Sequence, residues 1–107
     1  MKIILLNSAM MPTVGNYSLK TATFPEFKLA LHLGFESFIG YPDTAKFISD
    51  TFNVYCPVNR SQTVLDQDCL ILIIKLKYRV QNPADKGRFT PNKDDYEYFI
   101  CEYTNFR

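Results

Sequence analysis

The chain has 107 residues, 47% of them apolar and 21% charged, with a formal net charge of +1 at pH 7. That size allows one hydrophobic core rather than two, and that balance excludes a disordered chain. Near-zero charge also excludes a globally basic nucleic-acid binder, so any site for an anion has to be local and long nucleic acid is not an expected partner.

In chain order, "MKIILLNSAMM" places a lysine before an apolar run but is too short for a signal peptide and lacks a small-residue cleavage site. "KIILLN" is therefore read as a first buried strand whose polar end, Asn7 and Ser8, faces a loop or a ligand. "MPTVGN" supplies turn residues, and "YSLKTAT" alternates as a second, edge strand. "TFPE" at 23–26 is a capping box: the Thr23 hydroxyl caps a helix, Glu26 reaches back, and Pro25 suits the first turn. The helix that follows is expected to bury Phe27, Ala30 and Leu31 and to stop at Gly34. His32, on the same helix, is read as partly exposed and without a chemical role, because a general acid needs a partner and a cleft.

"FESFIG" is expected as a third short strand. After the Gly-Tyr-Pro turn, Asp43 or Thr44 is expected to cap a second helix over roughly 44–52, with Ala45, Ile48 and Phe52 facing the core. "VYCPVNR" reads as irregular or edge structure, since Pro57 cannot donate to a ladder. "CLILIIKLKYRV" begins without a polar interruption and then alternates, as a central strand emerging into solvent at Arg79 would. "QNPADKGRFTPNKDD" is a long polar loop, read either as a lid over about 80–95 or as a plain solvent loop. "YEYFICEYTNF" closes the chain as a strand with Tyr96, Tyr98, Ile100 and Glu102 on one face and Phe99, Cys101 and Tyr103 on the other.

The expected fold is thus a single α/β domain over 1–107, a mixed central β-sheet flanked by short helices. No apolar run reaches bilayer-spanning length, because "CLILII" gives way to Lys75 and Lys77. Three cysteines without C-x-x-C spacing, and a single histidine, point to reduced buried thiols in a cytosolic setting, with neither structural zinc nor another cofactor implied.

Three places could carry chemistry if the fold brings them together. They are the end of the first strand (Asn7, Ser8), the "IGYPDT" junction (Gly40, Tyr41, Thr44), and the basic side chains Arg60 and Arg79 with Asn59 beside the first of them. A strand end meeting a helix N-terminus suits an anionic ligand, and the planar guanidinium of arginine suits phosphate. Arginines at strand ends also simply solvate, so the residues alone leave both readings open.

The order "ILLNS", "FxSxIG" followed by "TAxxIS", "PVNRxQ" and "KLKxR" ahead of a glycine-bearing loop resembles the viral ring nuclease, or type III anti-CRISPR, family. The likeness runs from about Ile3 to Gly87. It implies a small α/β protein that forms a two-fold homodimer, binds cyclic tetra-adenylate across the two-fold axis and cuts it by metal-independent attack of a ribose 2′-hydroxyl. On that resemblance Asn7 and Ser8 lie along the ligand, Arg60 contacts it, and Arg79 sits beside the scissile phosphate.

Two departures accompany those matches. Where the family typically has histidine after "IG", this chain has Tyr41, a phenol of pKa about 10 in place of an imidazole of about 6.5. A general acid contributes about 100- to 10,000-fold to rate, so its loss leaves slow turnover or none. The family's acidic residue after the arginine is also displaced, with only Asp85 nearby. Retained arginines with altered proton-handling positions imply a cytosolic viral or mobile-element protein that sequesters a cyclic nucleotide messenger, with Tyr41 stacking on a base or hydrogen-bonding a phosphate; packing of Tyr41 over the helix start is the purely structural reading. A slow ring nuclease using Tyr41, Arg79 and Asp85 is the alternative. Seven tyrosines and nine phenylalanines also suit a third reading, a protein-interaction inhibitor of a host factor.

Overall fold

The computed structural model describes residues 2–7, 15–61, 67–77 and 93–105. Strands β1 (Lys2–Leu6) and β2 (Gly15–Thr21) come first, then helix α1 (Phe24–Leu31), the two-residue strand β3 (Glu36–Ser37) and helix α2 (Pro42–Phe52). Strand β4 (Cys69–Leu76), a 3-10 turn at Lys93–Asp95 and strand β5 (Tyr96–Asn105) complete the order of the described elements. The five strands form one mixed sheet in the order β2-β5-β4-β1-β3. β3, β1 and β4 run parallel, and β5 is antiparallel to both β4 and β2.

The uninterrupted apolar run at 69–74 in β4 follows from its place in the sheet. It is paired on both sides, and Ile71, Leu72, Ile73 and Ile74 are all buried, so neither face of the strand can be polar. Leu72 and Ile74 join Leu5, Tyr96 and Tyr98 beneath Phe27, Ala30 and Leu31 of α1 and Ala45, Phe47, Ile48 and Phe52 of α2. This face is densely aromatic: Phe47 lies 4.4 Å from Tyr96, Phe27 5.0 Å from Tyr98 and Phe24 5.0 Å from Phe52, ring centre to ring centre. Each such pair adds about 0.5–1.5 kcal/mol beyond its buried area.

The other face gathers Ile4, Leu6, Cys69, Ile71, Ile73, Cys101 and Tyr103, and neither helix contributes to that cluster. Here Tyr103 packs 4.9 Å from Tyr17 and fills the space above Gly15, where an added Cβ would meet the phenol oxygen at 2.7 Å. The expected two-faced division of β5 is the division between these clusters.

The capping box forms as expected: the Glu26 amide donates to Thr23 Oγ1 at 3.3 Å and the Thr23 amide to Glu26 Oε1 at 3.0 Å. Those bonds hold the Glu26 carboxyl below its ordinary pKa. Gly34, at φ +100°, ends the α1 exit in a conformation that L side chains disfavour. His32 ties the two helix ends together, its Nε2 donating to the Phe52 carbonyl at 3.0 Å. All three cysteines are buried free thiols.

Three elements differ from expectation. α2 begins at Pro42, so its N-cap is Tyr41 rather than Asp43 or Thr44. Proline's fixed φ and missing amide suit the first helical position, and that preference outweighs the capping tendency of the next two residues. "FESFIG" contributes only two strand residues and an isolated parallel bridge, Ile39 to Val58, because side chains take over its pairing. The second strand is set two residues earlier, at 15–21, because Thr23 is committed to its cap. Most of the expected lid, residues 80–92, lies outside the described residues.

Among the described residues no helix is long and apolar enough to cross a membrane. No cluster of metal-ligating side chains occurs among them either.

Candidate functional site

Parallel pairing gathers the candidate segments on one rim. β4, β1 and β3 are neighbours pointing the same way, so Asn7 after β1 and Gly40–Tyr41 after β3 follow the carboxyl ends of adjacent strands. In open α/β sheets that rim is where ligands bind. Arg79 follows β4 by three residues, but it and Ser8 lie outside the described residues, as does Asp85. Asn7 is half-buried, two residues beyond the Leu5–Ser37 pair of the sheet.

The junction is held by a set of hydrogen bonds above Ile39 and Cys56, which anchor it in the core. The Asn59 amide donates to the Ile39 carbonyl at 2.8 Å, and Asn59 Nδ2 donates to the Ser37 carbonyl at 3.0 Å. Arg60 Nε donates to the Gly40 carbonyl at 2.9 Å. In return, Ser37, the buried polar residue of this rim, donates through Oγ to the Pro57 carbonyl at 2.7 Å and accepts from the Ile39 amide at 3.3 Å. The Cys56 amide is held by Ser49 Oγ of α2 at 3.1 Å. The Cys56 thiol lies beside Ser37 Oγ, and burial pushes its pKa up, so it is not an activated nucleophile.

Arg60 is exposed, and among the described residues no carboxylate forms an ion pair with it. Its Nε contact fixes the root of the guanidinium beside Gly40 while the Nη groups keep their donors for another partner. Gly40 is not required by space, since a Cβ there would sit 3.7 Å from Arg60 Cγ, an ordinary contact. Its carbonyl is the functional atom.

Tyr41 is 62% exposed and extended, and as the N-cap of α2 it supplies no side-chain capping bond. Its ring stands in solvent rather than packed over the helix start. Pro42 has no N–H, so the amides that helix geometry leaves without an intrahelical partner are those of Tyr41, Asp43 and Thr44. The Asp43 carboxylate in that first turn offsets part of the helix's positive end, which leaves Arg60 as the principal positive charge described here.

Thr44 is half-buried and lies near enough to Tyr96, at the start of β5, for its side chain to lower that phenol's pKa against the larger upward effect of burial. Sequence reasoning placed Tyr96 only on one face of the last strand; the structure buries it beside the α2 start. Its adjacency to the α2 start depends on a pairing across more than fifty residues, and no local signal carries that.

A family model described as STIV B116-like matches residues 3–94. The chain belongs to the STIV B116-like family. The match ends just before β5. Among solved structures the fold is that of B116 of Sulfolobus turreted icosahedral virus, with a TM-score of 0.71, 17% sequence identity, and coverage of 94% of this chain and 98% of that one. The B116-like family is thus a viral protein family, and its small α/β architecture, a five-stranded mixed sheet with two helices, is the one described above. No curated protein matches the chain.

Proposed function

We propose that this protein binds and sequesters a cyclic nucleotide messenger, a cyclic oligoadenylate or a related ring, as a viral anti-defence protein in the host cytosol. The observation that carries the reading is that Arg60, exposed and tethered through Nε to the Gly40 carbonyl, is held to the residue just before the exposed phenol of Tyr41 at the head of α2. A guanidinium suits a bridging phosphate, and an exposed aromatic ring suits a base, each stacked base being worth about 1–3 kcal/mol. Membership of a viral family and the resemblance to ring nucleases support the same reading. A two-fold homodimer would present both groups twice to a two-fold ring, concentrating positive charge that the near-neutral chain lacks overall.

The test is a stoichiometric mixture with cyclic di-, tri- and tetranucleotides and cyclic ADP-ribose, followed by calorimetry and by chromatography of the ligand over hours. Binding with the ring recovered intact after denaturation is the expected result. Absence of binding up to high micromolar concentrations would overturn the proposal. Linear product in excess of the protein would replace sequestration by slow turnover.

A further inference from the structure

We infer that Asn59 is a positioning residue whose side chain clasps the 57–61 segment onto 37–40, so that Arg60 and Tyr41 are presented as one prearranged surface. Four hydrogen bonds join these segments, which lie about twenty residues apart in sequence. Asn59 makes two of them, and a third, Arg60 Nε to Gly40, comes from the next residue along. Asn59 Oδ1 also accepts from the Ser61 amide at 3.0 Å, which fixes the turn immediately after Arg60.

Both ends of the Asn59 amide are therefore occupied by backbone partners. A residue that reads a ligand would keep its polar end for the ligand, whereas this one spends it on shaping the chain on either side of Arg60. Within 57–61 itself apolar burial is slight, since Val58 is 45% exposed; the core anchors are Cys56 just before it and Ile39 opposite, which leaves the chain around Arg60 to the hydrogen bonds. Removing the Asn59 amide leaves the Ser37 carbonyl and the Ser61 amide without their partners and loosens the chain that carries the arginine. The consequence for ligand affinity rests on the function proposed above, while the clasp itself does not.

The first readout needs no ligand and no variant. Proton exchange at the Asn59 Nδ2 and Arg60 Nε groups of the wild-type chain, followed by NMR through a urea series below unfolding, is expected to accelerate in step, as one opening unit does. Independent acceleration of the two groups would overturn the clasp. Asn59→Ala, and Asn59→Asp, which keeps the acceptor for Ser61 but sets an oxygen against the Ser37 carbonyl, are each expected to speed Arg60 Nε exchange about tenfold. Unchanged Nε exchange in either folded variant counts against the proposal.

With cyclic tetra-adenylate as probe, the same variants are expected to bind about tenfold more weakly, the equivalent of one lost neutral hydrogen bond. Wild-type binding with no loss in Asn59→Ala would remove the positioning role alone. A wild type that binds no ring while its exchange remains coupled would remove the function and leave the clasp standing.

Discussion

The helix-covered face of the sheet and the rim at its strand ends solve the same problem with different physics. Beneath α1 and α2, Phe52 touches the rings of Phe24, Phe27, Phe47 and Tyr98, so its position is determined redundantly by many weak, non-directional contacts. At the rim, Arg60 and Tyr41 are exposed, and a few directional bonds from Ser37, Asn59 and Arg60 hold the backbone around them. The first arrangement buries its residues and so removes them from chemistry. The second keeps polar groups in solvent while still fixing where they stand.

The sharpest way to break this comparison is to cut each region and read both stability and binding. Phe52→Ala should cost about 3–5 kcal/mol of unfolding free energy, measured by urea denaturation, because it opens a cavity among four rings. If the rim is held by its own bonds, whatever fraction remains folded should bind ligand with nearly unchanged affinity. A parallel loss of affinity would mean that the two regions are one unit.

A smaller effect should appear on raising the pH. Burial raises the pKa of Tyr96 and Tyr98 from 10.0 and of Cys56 and Cys101 from 9.0. A group raised in the folded state contributes fully below its unfolded pKa and loses that contribution as the pH rises toward the folded value. Stability should therefore be flat through neutrality as far as these groups are concerned and decline progressively from about pH 9 upward. Urea midpoints taken between pH 7 and 11 would show this, and a constant midpoint would mean that these groups ionise as easily folded as unfolded.

The smallest stability effect belongs to the rim. Arg60→Ala should change unfolding free energy by about 0.5 kcal/mol or less, as an exposed side chain with one backbone bond would. The same change should abolish measurable cyclic nucleotide binding in calorimetry. Retained binding would transfer the recognition role to other residues.

Much of the helix-covered core could be read from local pattern. The capping box at Thr23, the stop at Gly34 and the apolar run of β4 each depend on residues within a turn or a strand of one another. The start of α2 was also legible, through Pro42, but competed with two good capping residues just after it. The rim was legible only in part: residue types named Arg60, Tyr41 and Asn59, yet not that the Asn59 amide faces backbone on both sides. That assignment depends on bringing residue 59 to residues 37 and 39, a long-range pairing that neither periodicity nor composition encodes. The nearness of Thr44 to Tyr96 was hidden for the same reason.

Tyr41 as an N-cap also has a consequence for how this position can change over generations. Asparagine, aspartate, serine or threonine there could accept a bond from the first turn of α2 and would stabilise the chain by about 0.5–2 kcal/mol. The chain forgoes that gain. Because the phenol contributes no cap, other non-capping side chains can replace it at almost no cost to folding, and the helix below sets no demand on the side chain at this position. Position 41 is in that sense a socket, where descent or design can exchange one ring for another while the scaffold below stays the same.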